Sequence, residues 1–188
     1  MNPDGAVRAE IWGVAALLDE LPAAPESGFR LDELAAGFRA LQATDGKARR
    51  AAEASIWEVW CDHPDREVKA QMALGMRLLG AGELVRAETL FDALIEREAT
   101  WAEAWNKRAT IYFLQGRDAP SVGDIRRTLT LEPRHFGALG GFAQICMRNG
   151  SPDAALAALE RLLLVNPGTP GILEVAEALR RQGSRTLH

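Results

Sequence analysis

The sequence predicts an all-α fold of stacked antiparallel helix pairs, on three observations. First, landmark residues recur at one step of 34 positions: Gly82, Gly116 and Gly150; Ala87, Ser121 and Ala155; Phe91, Ile125 and Leu159; Gly75, Ala109 and Ala143; Leu78, Tyr112 and Cys146. Several columns sharing one step mark a helical repeat array. Second, the central stretch from Ala102 to Pro133 reads as two short helices broken by a turn. Third, a 47% hydrophobic share supplies a packed core and argues against wholesale disorder.

Taken in order, residues 1–29 hold one short helix over Ile11–Leu21, with Leu17, Leu18 and Leu21 on a shared face. Pro22, Pro25 and Gly28 end it. Residues 30–65 read as a degenerate helical hairpin. Leu31, Leu34, Phe38 and Leu41 step by three and four, as on an amphipathic helix. Ala43-Thr44-Asp45-Gly46 turns the chain, and Ala51 to Asp62 runs helical. Ile56 stacks with Trp60, and Trp57 with Cys61, on common faces. Terminal repeats are atypical because one face meets solvent, so this hairpin is expected to cap the first full repeat.

Repeat one takes residues 66–99 and turns at Gly80-Ala81-Gly82, where glycine is free to adopt positive φ. Repeat two takes residues 100–133 and turns at Gln115-Gly116-Arg117-Asp118, with Asp118 as the expected N-cap. Repeat three takes residues 134–167. It turns at Asn149-Gly150-Ser151-Pro152, with Ser at the cap and Pro at the first helical position. Residues 168–188 hold a last helix over Gly171–Arg181, whose polar outer face suits a solubilising cap. Gly183 to His188 are expected to fray.

Trp105, Ala109, Tyr112, Ser121, Ile125 and Pro133 of the central repeat resemble the landmarks of the tetratricopeptide repeat (TPR) family. Repeat three supplies Leu139, Phe142, Ala143, Cys146, Ala155, Leu159 and Pro167 to the same pattern. Repeat one supplies Leu74, Gly75, Leu78, Ala87, Phe91 and Leu94, and departs at Ala99, where Pro is expected. The resemblance covers Arg66 to Gln182. The blocks AEAWNKRAT and LEPRHFGAL also resemble a group of small bacterial members without a defined activity.

The resemblance implies a right-handed α-solenoid of three TPR-like repeats with an N-terminal degenerate pair and a C-terminal capping helix. It also implies a non-catalytic adaptor or assembly scaffold that binds a peptide or protein segment in a concave groove lined by the first helices. By position the lining is Lys69, Met72, Met76 and Leu79; then Glu103, Asn106, Lys107, Thr110 and Phe113; then Gly137, Gly140, Gly141, Gln144, Met147 and Arg148. Met72, Met76 and Phe113 would supply apolar contact, with Asn106 and Lys107 orienting the segment. The blander readings are methionines as core filler and Asn106 and Lys107 as a solvated face. Glycine inside a helix costs about 1 kcal/mol relative to Ala, so Gly140 and Gly141 imply either close packing or close ligand approach. Some grooves of the family hold a partner's C-terminal carboxylate with several cations. Here those columns hold Met72, Met76, Lys107, Gly137 and Gly141, so that mode is not expected.

Arg108 occupies a column filled by Leu74 and Phe142 in the neighbouring repeats. A buried arginine without a partner is very costly. Asp124, on the second helix of the same repeat, is placed to cross back, and the planar guanidinium can hold a carboxylate with two bonds. The sequence therefore predicts an Arg108–Asp124 ion pair. Without it, Arg108 becomes a candidate ligand contact.

The net charge of −4 and the lack of a basic run give no field favouring nucleic acid. Cys61 and Cys146 match no metal or redox spacing and read as buried free thiols. No apolar run reaches the ~20 residues that span a bilayer, so no membrane insertion is expected. Ile11 to Leu18, with only Arg8 ahead and Asp19-Glu20 behind, is a poor secretory signal. A cytoplasmic location is expected, with a periplasmic one as the alternative if a leader has been removed or the start misassigned.

Phosphate-loop and dinucleotide fingerprints are absent. His63, His135 and His188 do not pair at metal-ligand spacing, so neither a metal nor a cofactor is expected. His135 is placed to bond the start of the next helix, and Ser121 lies in a packing column. An enzyme is not expected. The other readings are a homodimer through Trp12, Trp57 or the final helix, and a small-ligand sensor using a pocket lined by Gly137, Gly140 and Gly141.

Overall fold

The computed structural model describes residues 3–186, which form ten helices and, among the described residues, no strand. These are α1 (Pro3–Glu20), α2 (Leu31–Leu41), α3 (Gly46–Trp60), α4 (Arg66–Gly80), α5 (Leu84–Arg97), α6 (Ala102–Leu114), α7 (Asp118–Leu131), α8 (Phe136–Arg148), α9 (Pro152–Val165) and α10 (Ile172–Thr186). Pairs α4–α5, α6–α7 and α8–α9 are the three repeats, stacked in order. The architecture is an all-α solenoid.

One turn is built three times. Gly82, Gly116 and Gly150 have φ of 75°, 74° and 65°. Each left-handed residue lets two amides bond back into the helix it ends. Gly82 N–H reaches Leu79 O and Glu83 N–H reaches Leu78 O, with equivalent bonds from Gly116 and Arg117 and from Gly150 and Ser151. This satisfies carbonyls that a helix C-terminus leaves orphaned. A side chain at these positions would strain the backbone, which explains why this column is invariant. Ser151 and Pro152 open α9 as N-cap and first residue, though the Ser151 side chain makes no capping bond. Asp118 is not the N-cap of α7. Arg117 takes that position, and Asp118 instead accepts bonds from Arg148 Nε at 3.0 Å and Asn149 at 2.7 Å in the next repeat.

Packing follows the small-residue columns. A Cβ on Gly75 would sit 2.7 Å from the Phe91 ring, so α4 and α5 meet at a distance that only glycine allows there. Phe91, Phe142, Leu139, Leu129 and Leu159 are among the largest fully buried side chains. Cys146 is buried and Cys61 half-buried, both as free thiols. No helix among the described residues is long and apolar enough to cross a membrane.

The N-terminal third departs from expectation. Helix α1 is 18 residues long and packs on α7 and α9, the second helices of repeats two and three. Val7, Ile11, Val14 and Leu18 form its buried stripe. The α2–α3 hairpin does not simply cap repeat one. From its C-terminal to its N-terminal end, α3 meets α4 (Cys61 to Met76), α6 (Lys107 over Trp57), α8 (Trp57 against Phe136) and the link after α9 (Glu53 to Asn166). It lies across all three repeats. Asp45 caps α3 by accepting from the Lys47 and Ala48 amides, and Asp65 caps α4 in the same way. At the other end, Gly183 to Thr186 continue α10; residues 187 and 188 lie outside the described residues.

Gly137 marks where α3 seats. A Cβ there would stand 2.7 Å from the Trp57 ring. Ala at a helical Gly normally gains about 1 kcal/mol, whereas overpacking costs about 1–3 kcal/mol. Gly137→Ala is therefore expected to destabilise the protein in urea unfolding when Trp57 is present, and to stabilise it in a Trp57→Leu background. A double-mutant cycle reads the difference.

Candidate functional site

The first helices approach one another along the stack, α4 against α6 and α6 against α8, whereas the second helices do not pack together to a comparable extent. The first helices therefore line the inner face of the curve. Helix α3 fills part of that face, and a cavity remains beside it.

The filled part is organised around Glu103 on α6, whose carboxylate is fully buried. It meets Lys107 Nζ at 2.7 Å and His135 Nε2 at 2.8 Å, and accepts from Asn106 Nδ2 at 2.9 Å. His135 Nδ1 accepts from the Ala138 amide at 3.1 Å and so caps α8. That leaves the ring proton on Nε2, aimed at Glu103. Burial pushes the Glu103 carboxyl up, but the Lys107 charge and the bonds from His135 and Lys107 outweigh it and bring it down to about 2. Burial lowers Lys107, and the Glu103 charge more than offsets this. Aromatic rings roof the network. Trp60 stacks on His135 at 4.1 Å, Trp57 meets His135 and Phe136 edge-on, and Lys107 Nζ lies 5.0 Å from the Trp57 ring centre. Cys61 Sγ is 3.7 Å from Glu103, and burial with that carboxylate pushes its thiol up to about 12, so it is not a nucleophile at neutral pH.

The open part is a cavity of 260 Å³ between α6 and α8. Asn106, Thr110, Phe113, Gly137, Gly141 and Gln144 line it, with Ala109, Ser121 and Ile125 at its base. Arg148 stands 4.2 Å over the Phe113 ring and is held by Asp118. Thr110 and Gln144 are exposed. The surface offers an apolar floor with a few polar groups at its rim.

Several sequence-predicted lining residues lie elsewhere. Met72 is 1% exposed and belongs to the core between α4 and α5, because its column turns inward, so it contacts no ligand. Glu103 is sealed under Trp57 and Trp60 and is likewise no contact residue. Asn106 is 6% exposed, with its amide committed to Glu103, so it forms the cavity wall rather than a free recognition group. Lys107 pairs with Glu103 and covers Trp57, which removes it as the orienting cation. Lys69 pairs with Asp62 at the end of α3, and Met76 touches Cys61, so both face the chain's own hairpin. Of the glycines, Gly137 receives Trp57 and borders the cavity, Gly140 backs onto Leu162, and Gly141 opens into the cavity. Trp57 is packed rather than free for a dimer contact.

Arg108 meets both oxygens of Asp124, at 2.7 and 2.9 Å, and Asp92 of the preceding repeat at 2.8 Å. The Asp124 bonds raise its pKa. Its guanidinium lies 5.0 Å from the Trp105 ring and 5.5 Å from Tyr112. The arginine thus ties repeats one and two and is not a ligand contact. Neither Asp92 nor the Trp60–His135 stack follows the 34-residue step, so neither is legible from the repeat pattern. Among the described residues, no group of three His, Cys, Asp or Glu side chains could hold a metal ion.

Comparison with known proteins places this geometry. The chain is 31% identical to a TPR repeat-containing protein of Rhizobium etli over 159 residues, 84% of this chain and 77% of that protein. It is 29% identical over 101 residues to DnaJ homolog subfamily C member 3 of Gallus gallus, and 28% identical over 103 residues to the peroxisomal targeting signal receptor of Yarrowia lipolytica. Each of those two matches takes in 54% of this chain but only 20% and 16%, respectively, of the longer relative. No family model matches the chain.

The buried carboxylate sets a pH prediction. The folded pKa of Glu103 lies below its ordinary value of 4.5, so its stabilisation is complete above pH 4.5 and is lost as pH falls towards about 2. Glu103→Gln leaves Lys107 and His135 without their anion and is expected to cost about 3 kcal/mol in urea unfolding at neutral pH. The variant should also lose stability less steeply on acidification, followed by circular dichroism.

Proposed function

The chain belongs to the TPR repeat-containing proteins, and on that premise we propose that it is a protein-interaction module that takes a short partner segment into the cavity between α6 and α8. The observation that carries this reading is the division of the inner face. Helix α3 fills the end near Glu103, Lys107 and Gly137, while the stretch along Thr110, Phe113, Gly141 and Gln144 stays open. A binding groove of this kind is concave, mostly apolar and carries a few polar groups that set orientation. Here Ile125 and Phe113 supply the apolar surface and Gln144 and Thr110 the hydrogen-bonding rim, with Arg148, held by Asp118, packed over Phe113 at the end of α8.

The role is binding rather than catalysis. The buried Glu103–His135 pair resembles catalytic groups in type only, for it is sealed from solvent and both partners are committed to structure. One related protein is named as a receptor for a targeting signal, and recognition of a short segment fits the cavity's size.

Gly141 offers a test that spares the fold. A Cβ there would meet only Ile125, at 3.9 Å, and Leu is a better helix former than Gly. Gly141→Leu is expected to fill the cavity while leaving the melting temperature unchanged or raised. Peptides selected on the wild-type protein from a random display library should bind the variant at least ~10-fold more weakly in titration calorimetry. Equal affinity would move the binding surface elsewhere.

A further inference from the structure

The outer face of α1 is unpartnered, and its residues complement one another. Inward, Val7, Ile11, Val14 and Leu18 are buried on α7 and α9. Outward, Trp12 is 75% exposed, with Gly13 and Ala16 exposed beside it. A lone exposed apolar side chain needs no explanation. Here, though, Trp12 stands at the edge of a 550 Å³ cleft between α1 and the start of α9. Ala15, Ala16, Ala154 and Ala157 line that cleft, while Arg8 and Asp19 mark its two ends along α1. Knob and hole lie on one patch, as an interface between two copies related by a two-fold axis requires.

We propose that the chain forms a two-fold homodimer through α1, with Trp12 of each copy seated in the alanine-lined cleft between α1 and α9 of the other. The charges fix the register. Arg8 and Asp19 are exposed, and neither has an ion-pair partner among the described residues. They lie three helical turns apart, about 16 Å at 1.5 Å per residue. Two α1 helices running antiparallel about the point midway between Gly13 and Val14 bring Arg8 of each copy against Asp19 of the other, twice over. The same register sets Trp12 opposite Ala15. A parallel arrangement instead sets Arg8 against Arg8 and Asp19 against Asp19. This surface is on the opposite side of the stack from the inner cavity, so the two binding events are separable. One helix face and one cleft make a small interface, so the dimer is weak.

Sedimentation velocity across about 1–300 µM tests this, with a wild-type dissociation constant of about 1–100 µM expected. Trp12→Ala should be monomeric throughout, with an unchanged circular dichroism melt. Arg8→Glu alone faces two acids with its own copy, and Asp19→Arg alone faces two bases, so each should be monomeric. An equimolar mixture of the two restores both ion pairs and should dimerise at least as tightly as the wild type. A monomeric wild type at the highest concentration overturns the proposal. So does a dimer that survives Trp12→Ala, or a charge-variant mixture that stays monomeric. Loss of dimer in Gly141→Leu, whose change lies in the inner cavity, would overturn the assignment of the interface to α1.

Discussion

A helix pair cannot bury its apolar stripe alone, and everything in this molecule answers that constraint. Each pair must lie on the next, and the distance is set where side chains are smallest. Gly75 lets the Phe91 ring come so close that even a methyl group would collide. Ala109 and Ala143 hold the same column in the next two repeats and are buried in the same way. With contacts confined to neighbours, stability passes along the stack as a chain of interfaces. Arg108 shows what the rule permits. A cation in a column that is otherwise Leu or Phe is tolerated because Asp124 satisfies it within its own repeat and Asp92 across the boundary to the preceding one. A buried charge without such partners would cost several kcal/mol.

The ends of a stack leave apolar surface uncovered, and this chain uses its N-terminal third to cover it twice. Helix α1 lies outside, over α7 and α9, and α3 lies inside, across the first helices. The inner seat is polar at its base and aromatic at its top. Glu103 binds Lys107, Asn106 and His135, and the Trp57 and Trp60 rings then shield those charges from water. Shielding strengthens the ion pairs, and the satisfied ion pairs make the shielding tolerable. The two features stand or fall together.

The repeated part of the fold was legible because it obeys a period. The glycine turns, the small columns and the Arg108 anomaly all came from comparing positions one step apart. The contacts of α1 and α3 obey no period, and they decide the site. One signal was present for each. Val7, Ile11, Val14 and Leu18 step by four, three and four, a longer stripe than Leu17, Leu18 and Leu21 suggested. Gly137 was a glycine without a turn to make, and Trp57 is the reason for it. Carrying groove positions across by column assumed an empty inner face. Glu103 and Lys107 depart from the expected groove for that reason: the column defines where a residue sits on its helix, not what the rest of the chain lays over it.

The filled half of the inner face also constrains any partner. Helix α3 is joined to α4 by the few residues between Trp60 and Arg66, so it competes for its seat as an intramolecular ligand. A short tether gives an effective concentration in the millimolar range. A free segment at micromolar concentration would need an affinity for that seat about a thousandfold better than α3's own to take it. Displacement would also leave Glu103, Lys107 and His135 newly hydrated and Trp57 and Trp60 exposed. The open cavity carries neither cost: Thr110 and Gln144 are already in solvent, and Gly141 already leaves room. The partner site proposed above is thereby confined to the α6–α8 cavity, which the same hairpin leaves open while it covers the rest of the inner face.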